Sequence, residues 1–217
     1  VSFNDLSAFK TPTANWSIVG DVTVDLNQTN AMTTAPGKGI LACIQLPKKA
    51  GLAYNLFTAS EHGDVDVEVE FVMAKGSNSG IYLQGRYEVQ LYDSWGAKEL
   101  HVYDVGSIYE RWDEARPTGT KGYEGHVARV NAGKAPGVWQ KMRISFQAPR
   151  FDATGKKTAN AKMLKVELNG MTLHENVELF GPTRSSMEGE VPKGPLMFQG
   201  DHGSVAFRNL VVKSFTR

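Results

Sequence analysis

Apolar and polar residues alternate with a period of two along most of this chain, and that alternation predicts strands. The clearest run covers residues 64–73, where Val65, Val67, Val69, Phe71 and Met73 alternate with Asp64, Asp66, Glu68 and Glu70. One face is then buried and the other acidic and solvated. Residues 138–147 follow the same rule, with Val138, Met142, Ile144 and Phe146 on one face. Leu164, Val166 and Leu168 alternate with Lys165 and Glu167, and Asn169-Gly170 supplies the strongest turn signal before a return strand at 171–174. Residues 16–25 read as two short strands around Gly20-Asp21, and 39–46 as another. Residues 195–199 and 205–215 close the chain as strands, while 3–16 read as an irregular entry. No segment longer than about ten residues carries a convincing helical period. Many strands with turns between them predict an all-β fold, a two-sheet sandwich or jelly roll. No repeat or linker interrupts residues 1–217, so the expectation is a single domain.

Residues 78–93 form the most informative stretch. Alternating runs at 81–84 and 87–92 flank Gly85-Arg86, a hairpin signature. A two-residue turn would pair Gln84 with Tyr87 and put Ile81 and Leu83 on the face of Glu88 and Gln90. A three-residue loop with a bulge would shift that pairing. Within the second strand parity leaves one choice: Glu88, Gln90 and Tyr92 share a face, and Tyr87, Val89 and Leu91 the other. Glutamate, amides (Gln84, Gln90), Arg86 and tyrosines so interleaved suit a groove that hydrogen-bonds and stacks a polyhydroxylated ligand. Residues 94–137 lack sustained periodicity, and loops of that length in a compact domain are usually functional. Tyr109 and Trp112 lie in it and are candidates for stacking on sugar rings.

Composition narrows the classes. A net charge of +1 argues against a nucleic-acid surface, and no apolar run approaches the length of a membrane span. The single Cys43 rules out an internal disulfide and reads as a small core side chain. The chain begins at Val1 instead of Met, which suggests a removed leader and a periplasmic or extracellular location. Nothing in the sequence sets an oligomeric state.

The chemistry follows partly by elimination. No two of the five histidines have zinc-ligand spacing, so no metal ligand is assigned and no cofactor is expected. A structural calcium held by loop carbonyls stays open, because sequence does not display such sites. Serine-nucleophile, phosphate-loop and dinucleotide signatures are absent. Glu88, in mid-strand among aromatics, is the carboxylate whose burial would raise its pKa and suit it to proton transfer. The alternative is a Glu satisfied by Arg86 or a cross-strand partner. His202, in Gln199-Gly-Asp-His-Gly at a strand end, is the second candidate.

Asn78-Ser-Gly-Ile-Tyr-Leu, with Gly85-Arg-Tyr-Glu-Val-Gln-Leu-Tyr-Asp-Ser, strongly resembles the bacterial 3-keto-disaccharide hydrolase family. Gly106-Ser-Ile-Tyr, Val130-Asn-Ala, Pro136-Gly-Val-Trp-Gln, Ala148-Pro-Arg-Phe-Asp, Leu168-Asn-Gly, Gly181-Pro-Thr, Gly194-Pro-Leu and Phe207-Arg-Asn extend the likeness over roughly residues 60–215. The family's closing Leu-Gln-Asp-His-Gly appears here as Phe198-Gln-Gly-Asp-His-Gly, one Gly longer, an insertion that would displace His202.

The resemblance implies a concanavalin A-like jelly roll of two antiparallel sheets, the architecture of lectins and laminarinase-type glucanases. Those glucanases carry catalytic acids as Glu-x-Asp-x-x-Glu; here the strand reads Glu88-x-Gln90-x-x-Asp93. A retaining mechanism needs two carboxyl groups about 5–5.5 Å apart, and Gln90 cannot protonate a leaving group. A ketone at C3 changes the demand, because it acidifies the C2 proton and permits elimination of the C1 substituent. The expected site has Glu88 as base and His202 as acid. Asn78, Gln84, Arg86, Gln90, Asp93, Tyr109, Trp112 and Gln199 are the expected substrate contacts, and the partner is a carbohydrate. The competing expectation is a catalytically silent carbohydrate-binding module on the same fold.

Overall fold

A computed structural model describes residues 1–46 and 51–216. Seven strands precede the long connection: β1 (Phe9–Lys10), β2 (Trp16–Val24), β3 (Met32–Cys43), β4 (Leu56–His62), β5 (Val65–Met73), β6 (Asn78–Leu83) and β7 (Tyr87–Tyr92). The connection holds a two-strand ribbon, β8 (Arg111–Trp112) with β9 (Gly122–Tyr123). After it come β10 (Gln140–Gln147), the small ribbon of β11 (Arg150–Phe151) and β12 (Lys157–Ala159), then β13 (Ala161–Leu168), β14 (Met171–Leu179), β15 (Gly194–Phe198) and β16 (Val205–Ser214). The helical content of the described residues is one 3₁₀ turn, Leu52–Tyr54, and no helix there is long and apolar enough to cross a membrane.

Two antiparallel sheets stack as a jelly-roll sandwich. One is five-stranded, in the order β1-β4-β15-β6-β7, and the other seven-stranded, β14-β13-β10-β5-β16-β3-β2. The facing sides supply the core: Leu56, Ile81, Leu83, Tyr87, Val89, Leu91 and Phe198 from the first, Leu41, Val65, Val67, Val69, Phe71, Ile144, Phe146 and Phe207 from the second. Rings meet across the gap, Tyr87 with Phe146 at 5.3 Å between centroids and Phe198 with Phe207 at 4.6 Å. These aromatic contacts fix the sheets face to face.

The strong periodicities became strands with their apolar faces inward, and the departures have local causes. Val138 lies outside its strand and is exposed, because β10 starts at Gln140. Ser145 pairs with Lys165 but Phe146 with Met163, so Leu164 is an extra bulge residue, half-buried, and Met163 takes the core position instead. The segment around Gly20-Asp21 is one strand with a register shift and not two. The strand expected at 39–46 starts earlier and ends at Cys43. Asp64 does not belong to the solvated acidic face. It is buried and held bidentately by Arg150, at 2.7 and 2.6 Å. Glu68 and Glu70 do lie on the outer face, where Lys141, Arg143 and Arg208 pair with them.

Phe71 is fully buried in β5, the strand whose neighbours are β10 and β16, so its loss would open a cavity in the middle of the larger sheet. Phe71→Ala should destabilise the fold by about 3–5 kcal/mol. Urea unfolding should show this as a lower midpoint at unchanged slope; a midpoint within error of the parent would show that the core is not centred there.

Candidate active site

The hairpin register decides which side chains look outward. Leu83 pairs with Tyr87, Tyr82 with Glu88, Ile81 with Val89 and Gly80 with Gln90. The loop is therefore three residues, Gln84-Gly85-Arg86, with Gln84 and Gly85 in the left-handed region at φ 54° and 68°. Ile81 and Leu83 share the core face with Val89 and Tyr87, not with Glu88 as a two-residue turn would require. The outer face of the five-stranded sheet then carries Tyr82, Glu88 and Gln90, with Gly80 opposite Gln90.

Residues 106–109 run along the outer edge of β7. Gln90 N–H donates to Ser107 O, Gly106 N–H to Gln90 O and Tyr109 N–H to Glu88 O, and Val89 pairs with Ile108. This covers an exposed sheet edge and, by parity with Ile108 in the core, turns Tyr109 to the side of Glu88. The result is a cleft of about 220 Å³ lined by Asn78, Tyr82, Glu88, Gln90, Tyr109 and Gln199, with Tyr103, Arg184, Ser185 and His202 completing its walls.

Glu88 is 1% exposed, yet it faces the cleft and not the inter-sheet core. Burial pushes its pKa up to about 8, against a hydrogen bond from Tyr82 and with a smaller push from the Asp201 charge. Its Oε1 has no hydrogen-bond partner, and neither do Asn78 Oδ1, Gln90 Oε1 and Gln199 Oε1. Four unpaired buried acceptors converging on one cleft are costly, and hydroxyl donors of a ligand would satisfy them. Gly80 makes the space: a Cβ there would overlap the Glu88 carboxylate.

His202 lies at the rim, its Nδ1 2.6 Å from Asp201 Oδ1. That hydrogen bond raises the His202 pKa, against partial burial. Burial opposes ionisation of Asp201, but the bonds from His202 and from Gly51 N–H prevail and hold its carboxyl below the usual range. The additional Gly200 does not displace His202 from the cleft. Its N–H donates to Asn55 Oδ1, its carbonyl accepts from Asn15 Nδ2 at 2.9 Å, and a side chain there would strike Tyr54, Asn15 and Trp16. The extra residue is absorbed in packing that only glycine permits.

Of the ten side chains singled out in the sequence, Asn78, Glu88, Gln90, Tyr109, Gln199 and His202 come together. Four do not. Gln84 is fully buried under the hairpin loop, where Nε2 donates to His62 O and Pro192 O. Arg86 turns its guanidinium onto the carbonyls of Gln84, Glu188 and Gly189, and its own carbonyl accepts from Thr183 N–H and Oγ1. It thus pins the 182–190 loop that delivers Arg184 and Ser185. Asp93 accepts from Gly76 N–H at 2.8 Å, as a turn residue. Trp112 lies under the Arg184 guanidinium at 3.6 Å and lines the neighbouring trough.

Tyr82, Tyr103, Arg184, Ser185 and Asp201 were missed. Tyr82 and Asp201 sit inside motifs already recognised, and the three-residue loop parity would have found Tyr82. No local pattern marks Arg184 or Ser185 beyond the preceding Gly181-Pro-Thr. Among the described residues, no three His, Cys, Asp or Glu side chains converge as a metal site.

The buried carboxylate has a consequence for stability. Its folded pKa near 8 lies above the unfolded value of about 4.3. Folding therefore favours the protonated form, and stability is lost as pH rises between those values. Glu88→Gln removes that penalty. The variant's advantage in thermal melts should be small at pH 5 and grow by on the order of 3 kcal/mol by pH 8. A pH-independent difference would mean that Glu88 is not desolvated.

Comparison with known proteins now bears on the family. The model of the 3-keto-alpha-glucoside-1,2-lyase-like domain matches residues 3–213. Two crystal structures from Parabacteroides distasonis, both described as candidate glycosyl hydrolases, share the fold. One has a TM-score of 0.60 at 20% identity, covering 96% of this chain and 84% of the other. The second has a TM-score of 0.55 at 18% identity, covering 92% and 99%. Comparison with curated proteins finds no match. With nearly its whole length matched, the chain belongs to the 3-keto-alpha-glucoside-1,2-lyase-like domain family.

Proposed function

We propose that the cleft binds a 3-keto-glycoside, such as a 3-keto-disaccharide, and cleaves its glycosidic bond with Glu88 as general base. The observation that carries this is the Glu88 carboxylate itself, desolvated in the wall of the cleft, with one buried oxygen unpaired and a pKa near 8. A base works best when its pKa lies close to the operating pH. A protein that only held sugar hydroxyls could do so with amides, without the cost of burying an ionisable group.

The chemistry follows from the ketone. Glu88 takes the proton from C2, and the electron pair moves onto the C3 oxygen as an enolate. Collapse of the enolate restores the ketone, forms a C1–C2 double bond and breaks the bond from C1 to the leaving oxygen. His202, held by Asp201, supplies the proton that oxygen needs. Release at this stage is a lyase reaction; addition of water across the double bond makes the net reaction hydrolysis. Asn78, Gln90 and Gln199 accept hydrogen bonds from the remaining sugar hydroxyls. The family description, which names 3-keto-alpha-glucoside 1,2-lyases, supports elimination between C1 and C2. The side-chain inventory supports it too. Position 90 is an amide, Asp93 is engaged with Gly76 and Asp201 with His202, so none of these positions offers Glu88 a free second carboxylate for a retaining pair.

Glu88→Gln should lower turnover of a 3-keto-disaccharide about a hundredfold or more and leave glycoside affinity nearly intact. With a nitrophenyl leaving group, which needs no acid, kcat/KM should rise with pH through about 8 as Glu88 ionises. His202→Gln should keep that rise. Binding of 3-keto-glycosides without turnover by the parent protein would instead establish a carbohydrate-binding module.

A further inference from the structure

Tyr82 is the most deeply buried of the large side chains in the cleft wall to which the reaction above gives no task. It is 1% exposed, stands directly opposite Glu88 in the β6–β7 pairing, and lines the cleft beside Gln90 and Gln199. Its hydroxyl oxygen receives Gln199 Nε2 at 3.4 Å, and its proton is directed at the Glu88 carboxylate. Glu88 Oε1 has no partner and packs against Gly80, so the phenol is the polar neighbour that faces this carboxylate across the strand pair. Burial, then the neighbouring Glu88, Asp201 and Tyr109, hold its pKa well above the ordinary tyrosine value, so it remains a neutral donor.

Elimination from a 3-keto-glycoside needs such a donor at the C3 oxygen, where negative charge develops. The buried unpaired atoms of Asn78, Gln90 and Gln199 are their acceptor oxygens, suited to hydroxyls. The O–H donor buried in this wall belongs to Tyr82.

We infer that Tyr82 is the catalytic enolate-stabilising donor, and that protonation of Glu88 switches its hydrogen bond to the substrate. The inference rests on the 3-keto-glycoside reading. In the ionised form that acts as base, the Glu88 carboxylate is the strongest acceptor near the phenol. As the C2–H bond breaks, the proton passes to the Glu88 carboxylate and the electron pair to the C3 oxygen. Charge leaves Glu88 and appears on the substrate in the same event, so the stronger acceptor is now the enolate. Gln199, donating to the phenol oxygen, orients it and strengthens it as a donor. When the enolate collapses, C3=O and C1=C2 form, the C1–O bond breaks, and His202 protonates the leaving oxygen. Glu88 then returns its proton to water.

Enolate formation can be isolated with free 3-keto-glucose, which gives proton exchange at C2 in D₂O that NMR follows. The parent protein should accelerate this exchange above the buffer rate, and Glu88→Gln should abolish the acceleration. Tyr82→Phe should slow exchange about a hundredfold or more at nearly unchanged affinity. If Glu88→Gln abolishes exchange while Tyr82→Phe retains it, the assignment of Tyr82 is overturned and the function stands. No acceleration by the parent protein would overturn both. Should Tyr82→Phe fail to fold, site-specific fluorotyrosine at position 82 keeps the shape and strengthens the donor. It should change the exchange rate, and an unchanged rate would overturn the assignment.

Discussion

The pairing register of β6 with β7 is the constraint on which the rest depends. Because side chains alternate, a shift of one residue would carry Glu88 and Gln90 into the inter-sheet core and expose Val89 and Leu91. Burial of Ile81, Leu83, Tyr87, Val89 and Leu91 between the sheets makes that shift prohibitive. The core thereby holds the cleft's polar residues in place: each core residue on β7 fixes the outward direction of its polar neighbour. The left-handed loop Gln84-Gly85-Arg86 supplies the turn that this register needs.

A buried carboxylate and three unpaired amide oxygens oppose folding, and the surroundings hold them rigidly all the same. Gly80 leaves room for the carboxylate. The 106–109 segment closes the edge of β7 and brings Tyr109. Arg86, with Tyr87 and Lys157 on Glu190, fixes the loop that carries Arg184 and Ser185. Strain of this kind, sustained by neighbours, is characteristic of sites organised for a ligand or a reaction. The shared fold does not determine which, since one sandwich hosts many functions. The proposal of catalysis rests on the desolvated acid.

Some of this was legible in the chain alone. Apart from Asp64 and Val138 at their starts, alternation in residues 64–73, 138–147 and 87–92 determined the strands, their buried faces and the common direction of Glu88 and Gln90, because strand parity is a local property of the backbone. The motifs pointed to the family. Long-range pairing decided the rest. Whether Leu164 or Met163 enters the core depended on a bulge in their own strand, set by its pairing with β10. Whether Arg86 meets substrate or backbone depended on a loop about a hundred residues away, as its bonds to Glu188 and Gly189 show. Asp64 and Asp93 read as acids free for solvent or ligand until Arg150 and the Gly76 amide were seen to hold them. The pKa of Glu88, the pairing of Asp201 with His202 and the arrival of Arg184 are likewise properties of packing. Desolvation and hydrogen bonding depend on which distant segments close around a group, and a one-dimensional pattern does not contain that distance.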